Sequence, residues 1–151
     1  MAIGIKALID AITSHASSSG LFDIVQAHEP KSPPGNGLSY AVYLSALAPI
    51  QSSGTAVTSA RVELTGRIYK PFLSDPEDLI DPNIADAADK LFEAYSGDFT
   101  LGGLAREVDL LGAHGNPLNA EAGYQNISGT VFRVLDIIIP IIVNDAWNQE
   151  A

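Results

Sequence analysis

Cysteine is absent from the 151 residues. No disulfide framework and no thiolate metal site is possible, so the fold must rest on its own hydrophobic core, and the redox compartment is left open. Basic residues are scarce as well: eight Lys and Arg stand against eighteen Asp and Glu, for a formal charge of −10. The imbalance sits in the second half, where residues 71–151 hold three Lys/Arg against fourteen acids, while residues 1–70 hold five against four. A folded nucleic-acid binder needs a basic footprint to neutralise phosphates, and this chain carries the reverse. The acidic half reads either as simple solubility or as a surface that must repel a polyanion.

Long apolar runs are missing too. The densest apolar stretch is Thr130 to Trp147 (TVFRVLDIIIPIIVNDAW), and its apolar run, Ile137 to Val143, falls far short of the roughly 20 residues that span a bilayer, with Asp136 and Asp145 flanking it closely. The N-terminal MAIGIKALIDAITSH carries Lys6 and Asp10 inside a periodic pattern and lacks the uninterrupted apolar region of a signal peptide. A chain that is cytoplasmic when made, with no membrane partner, is the expectation.

Motifs that carry chemistry are lacking. Of the three histidines, His15 lies inside a helix pattern, His28 enters a Pro-rich loop and His114 sits in a Gly-flanked turn; none belongs to a nucleophile-elbow or zincin motif. His28-Glu29 and Asp109 with His114 come nearest to a general-base pair. Gly35-Asn36-Gly37 lacks the Lys and Ser/Thr of a phosphate loop, and Asp75, Glu77, Asp78 and Asp81 lack the Gly and terminal Glu of a calcium loop. The residues point to no catalytic, cofactor or metal site, a profile of interaction or assembly proteins more than of enzymes.

What is present organises around Ile137, Ile138, Ile139, Ile141, Ile142 and Val143. A strand apolar on both alternating faces has both faces covered, so this is the expected central strand, with a break or bulge at Pro140 because proline donates no ladder hydrogen bond. Ile5, Leu8, Ile9, Ile12 and Ala16 fall on one face of an N-terminal helix that stops near Gly20. Leu21–Ala27 reads as a short strand, and His28–Gly37 as a surface loop. Leu38–Ala48 alternates Leu38, Tyr40, Val42, Leu44 and Ala46 inward; Ser59–Lys70 turns Val62, Leu64 and Ile68 inward. The two form an antiparallel pair whose connection, Pro49–Thr58, projects from the sheet as an arm. A second helix starts with Asp81 as cap and Pro82 at its first position, stripes Ile84, Ala87, Ala88, Leu91, Phe92 and Tyr95, and ends at Gly97. Asp75-Pro76-Glu77-Asp78 repeats the cap-then-proline logic and suits a shorter helical turn. Arg106–Ala113 reads as a strand, and Tyr124–Ile127 can pair back on Thr130–Arg133 around Ser128-Gly129. The prediction is a single domain over residues 1–151, α+β, with two helices packed on one face of a mostly antiparallel sheet in the order α-β-β-β-α-β-β.

The segments ALIDAITSH, LFDIVQAHEPKSPPGNGL, SARVELTGRIYKPF, DPNIADAADKLFEAYSGDF, VDLLGAHGNPLNAEAGY and FRVLDIIIPIIVNDAW, taken in order, resemble the tail terminator (tail completion) proteins of long-tailed, non-contractile bacteriophages of actinobacterial hosts, themselves similar to the lambda-type terminator. The resemblance runs from about Ile5 to Trp147; no one segment carries it alone. It implies a homo-hexameric ring in the virion, at the head-proximal end of the tail. The ring would cap the last ring of tail tube protein, stop its polymerisation and dock the head–tail connector or neck protein. DNA would cross the bore without specific binding. On that implication, Glu29, Lys31, Pro33, Asn36, Ile50, Gln51, Asn116 and Tyr124 are candidates for contacts between subunits or with tube and connector. Asp86, Asp89, Glu93, Glu107, Asp109 and Glu121 are candidates to face the bore. Another head–tail joining subunit (neck or head closure) is the alternative, and a small hydrolase using His28 or His114 the remote one.

Overall fold

The computed structural model of the chain describes residues 3–30, 37–50, 57–71 and 80–148. Helix α1 (Ile5–Ser19) is followed by strands β1 (Ile24–Gln26), β2 (Ser39–Ile50) and β3 (Val57–Pro71). Helix α2 (Ile80–Gly97) then leads to β4 (Glu107–Val108), β5 (Asn119–Ile127) and β6 (Thr130–Asn148). The α+β class is as predicted, and the order contains one strand more than expected because the hairpin arm before Ser128-Gly129 is a full nine-residue strand. That hairpin closes through Ser128 at φ 51 and Gly129 at φ 87. Two consecutive positive φ values match the right-handed twist of the flanking strands.

Strand order is β1-β2-β3-β6-β4, with β5 also on β6; β1 lies parallel to β2 and every other pair is antiparallel. Pairing of Leu64 with Ile139 and of Val62 with Ile141 puts Val62, Leu64, Ile68, Ile137, Ile139 and Ile141 on one face. Leu8, Ile12 and Ala16 of α1 and Ile84, Ala87, Leu91 and Tyr95 of α2 pack against them in one buried cluster. The apolar stripes read from the sequence are therefore the surfaces that meet, and both helices lie on this face. α1 ends at Gly20 with φ 71, as the glycine predicts. α2 begins at Ile80, so Asp81 is a first-turn acid instead of the cap, and Pro82 sits where no N–H is required. Asp75–Asp78 lies outside the described residues.

β6 is the central strand, but Pro140 makes no break in it. Register with β3 runs on through Glu63 opposite Pro140. The Asp109 N–H donates to the Pro140 carbonyl at 2.8 Å, so both polar positions of Pro140 face away from β3 and no β3–β6 bond is lost. The Asp109 carbonyl, which a donor at position 140 would have met, accepts from Leu118 N–H at 3.3 Å. The irregularity falls later, where register slips between Thr58 and Ala60 and Asp145 takes φ 52.

Two strand expectations are corrected. Arg106–Ala113 supplies only Glu107–Val108, because the Asp109 carboxylate captures backbone donors further on and turns the chain. In β2 the register shifts between Leu44 and Ala46, where Ser45 donates its hydroxyl to the Glu63 carbonyl at 2.9 Å. The bulge turns Ala46 out to pair with Glu63, while Leu44 stays opposite Leu64 on the core face; both, expected inside, are exposed. Pro49, Ile50, Val57 and Thr58 belong to the paired strands, leaving 51–56 of the expected arm outside the described residues.

Where the layers meet, the buried hydroxyls of Tyr40 and Tyr95 lie 2.8 Å apart. Burial drives the Tyr95 hydroxyl well above the usual phenol range, so it stays protonated as a hydrogen-bond partner. Tyr95→Phe strands the Tyr40 hydroxyl in the core and is expected to cost about 1–3 kcal/mol, read as a lower urea midpoint with an unchanged slope. An unshifted midpoint would show the pair to be idle.

Candidate functional site

The helix-free face of the sheet carries polar chemistry, because alternation turns the odd residues of β3 toward it. Arg67 donates from Nε and Nη2 to the two carboxylate oxygens of Asp136, across the β3–β6 pair, and its guanidinium lies 5.9 Å from the ring centroids of Tyr43 and Tyr69. Burial pushes the Tyr43 hydroxyl up to about 12, against the opposing pull of Arg67. Glu29 stands 3.9 Å from Arg67 and is mostly exposed. Its carboxylate is thus turned toward Arg67, while its backbone carbonyl meets the His28 ring at 3.1 Å. His28 and Glu29 therefore form no acid–base dyad.

Asp109 is buried, at 3 % exposure, and accepts from the N–H groups of Ala113 at 2.8 Å and His114 at 2.9 Å. It cannot face a bore, which corrects the expectation for this residue. It holds the backbone of His114 and not its ring; the ring stands 3.9 Å from Glu107. The loop it clamps packs Leu110 and Leu118 against the main core and reaches the helix-free face at Asn116, whose carbonyl accepts from Arg61 at 2.9 Å. Asp109→Asn retains the shape but replaces one acceptor with an amide that cannot accept. The loop should loosen at a cost of about 1–3 kcal/mol, seen as faster amide exchange at Ala113 and His114. Protection unchanged at both amides would sink the clamp.

The remaining acids divide between two surfaces. Asp86, Asp89 and Glu93 follow helical spacing on the outer side of α2 and are exposed, with Lys90 paired to Asp86 at 3.2 Å. Glu121 pairs across from Asp136, and Glu107 from Ile142, which places both on the helix-free side. One surface can therefore present the α2 acids or Glu107 and Glu121, but not all five together. Among the contact candidates, Tyr124 is 60 % exposed beside Arg133, whose guanidinium lies 4.6 Å from its ring centroid. Ile50 ends β2, half-buried; Lys31, Pro33, Asn36 and Gln51 lie outside the described residues.

Three features escaped sequence reasoning. His15 Nε2 meets Asp98 Oδ2 at 2.9 Å, joining α1 to the end of α2, and only the helical position of His15 next to the apolar stripe hinted at a partner. Arg133 donates to Asp81 at 3.0 Å, tying β6 to α2 above a cleft of about 230 Å³. Leu111 stands 94 % exposed at the loop tip, where a strand had been expected to hold it.

The Gly102 N–H first, and His15 second, hold the Asp98 carboxyl below its usual range. A depressed carboxylate contributes stability that is present above its unfolded value of 3.8 and lost as pH falls through the lower folded one. Asp98→Asn should therefore flatten the acid limb of the stability curve below about pH 4. An acid limb identical to the parent's would refute the assignment.

No protein-family model matches the chain, and no curated protein matches it. Among the described residues there is no cluster of three or more metal-ligating side chains, and no helix is long and apolar enough to cross a membrane.

Proposed function

We propose that the chain is a structural subunit of a long, non-contractile phage tail, a terminator that closes the head-proximal end of the tube as a homo-hexameric ring and offers the surface on which the head connector docks. The observation that carries this reading is the ordered run of terminator-like segments between Ile5 and Trp147, which touches both helices and every described strand except β2. The acidic outer face of α2 supports it: Asp86, Asp89 and Glu93 lie together, and like charge keeps a passing polyanion from adhering. The outer half of β2 supports it too, with Leu44 and Leu47 about two-fifths exposed and available for contacts with neighbours.

Negative-stain imaging with mass photometry tests the reading. Six-fold rings that bind the ends of tail tubes are expected. A monomer at every concentration overturns the proposal, and rings that bind the connector but ignore the tube assign the chain to the neck.

A further inference from the structure

The Leu111 loop tip and the cleft beside α2 are both open to solvent. An isolated exposed leucine is ordinary on a protein surface. Leu111 differs in how it is held. The buried Asp109 carboxylate pins the loop from inside, and Gly112, at φ 79, turns it so tightly that a Cβ there would come within 2.6 Å of the Gly115 carbonyl. Gly115 in turn packs on the Arg61 guanidinium, where a Cβ would stand 3.0 Å from Nε. The backbone that presents a leucine at 94 % exposure is thereby held in place, while its side chain stays in solvent. A backbone held in this way lowers the ordering cost of a contact made by the side chain it carries.

The cleft lies apart from this loop, on the helix-bearing face of the sheet, between the first turns of α2 and the β5–β6 hairpin. Ile84, Ala85, Ala122 and Leu135 make it apolar, while Asp81 and Arg133 neutralise one another at its rim. At about 230 Å³ it has room for an isobutyl group, and its rim presents no unpaired charge to an apolar guest. The geometry points to Leu111 of one copy seating in the cleft of a second copy. Two copies at −10 each repel, so they meet through a small contact without net charge. Knob and cleft occupy different patches, as the head-to-tail interfaces that build rings require. The contact deepens the ring reading, on which it rests, by naming where neighbours touch.

The cysteine-free chain makes the test clean. Leu111→Cys and Ala85→Cys variants are prepared separately, mixed, and joined with a short bismaleimide; Leu111→Cys mixed with Ser96→Cys, on the exposed last turn of α2, is the control. The first mixture should yield crossed dimers in clear excess over the control. Leu111→Asp, at a site too exposed to disturb folding, should weaken self-association by about tenfold or more. Association of the parent should tighten with salt, since screening relieves repulsion while an apolar contact is unaffected. Cross-linking no greater than the control overturns the knob-and-cleft contact, even if micrographs show rings, in which case the ring reading stands alone. Specific cross-linking in particles that are pairs and never rings keeps the contact and removes the terminator reading.

Discussion

Ile141→Asp is expected to leave no folded protein. Ile141 is fully buried on β6, paired with Val62 of β3 on one side and Val108 of β4 on the other, inside the cluster that joins sheet to helices. Its sheet neighbours, the Val62 and Val108 side chains, offer a carboxylate there neither a donor nor a cation. An unpaired buried charge costs several kcal/mol, and the whole stability of a domain of this size is about 5–15 kcal/mol. Circular dichroism should show no cooperative melt. Ile138→Asp is the internal control: Ile138 is half-buried on the opposite face, so its variant should fold with a lowered midpoint. The sequence alone treats the two positions alike, because a run of isoleucines does not show which face the helices take. Cooperative unfolding of Ile141→Asp near the parent's midpoint would place the core elsewhere.

That ambiguity marks the boundary of what could be read. Long elements with strong periodicity were legible: both helices, the β2–β3 pair, the central strand and the Ser128-Gly129 turn follow from apolar spacing and turn chemistry. Pro140 was misjudged because its effect depends on which edge its nitrogen faces, a property of pairing and not of composition. Arg106–Ala113 looked like a strand until Asp109 spent its carboxylate on Ala113 and His114, and that choice depends on the loop being buried. The candidate site was less legible still. Charge could be counted from the sequence, but its division between the outside of α2 and the helix-free face could not. The His15–Asp98 and Arg133–Asp81 pairs join residues 83 and 52 positions apart, beyond any local pattern.

The α2 acids offer the prediction that ties charge to function. Asp86, Asp89 and Glu93 are exposed, and their pairing with Lys90 is a surface contact, so replacing all three with Lys should change stability by no more than about 1 kcal/mol. Each replacement adds two charges, so the three raise the formal charge from −10 to −4 and create four neighbouring cations with Lys90. In a ring that collar is repeated by symmetry and becomes a site for phosphates. Duplex DNA, which the parent protein should ignore, is expected to bind, with affinity falling by orders of magnitude between about 50 and 200 mM salt. If the chain is the proposed terminator, virions carrying the variant should keep tails of correct length but eject DNA slowly, more so at low salt. Glu107→Lys with Glu121→Lys, on the helix-free side, gives the contrast, because only one of the two surfaces could line the bore of the proposed ring. If the α2 variant ejects at the parental rate while the Glu107/Glu121 variant is slow, the bore is lined by the helix-free face. If both eject normally, the acids serve only as a soluble exterior and the bore is formed by other residues.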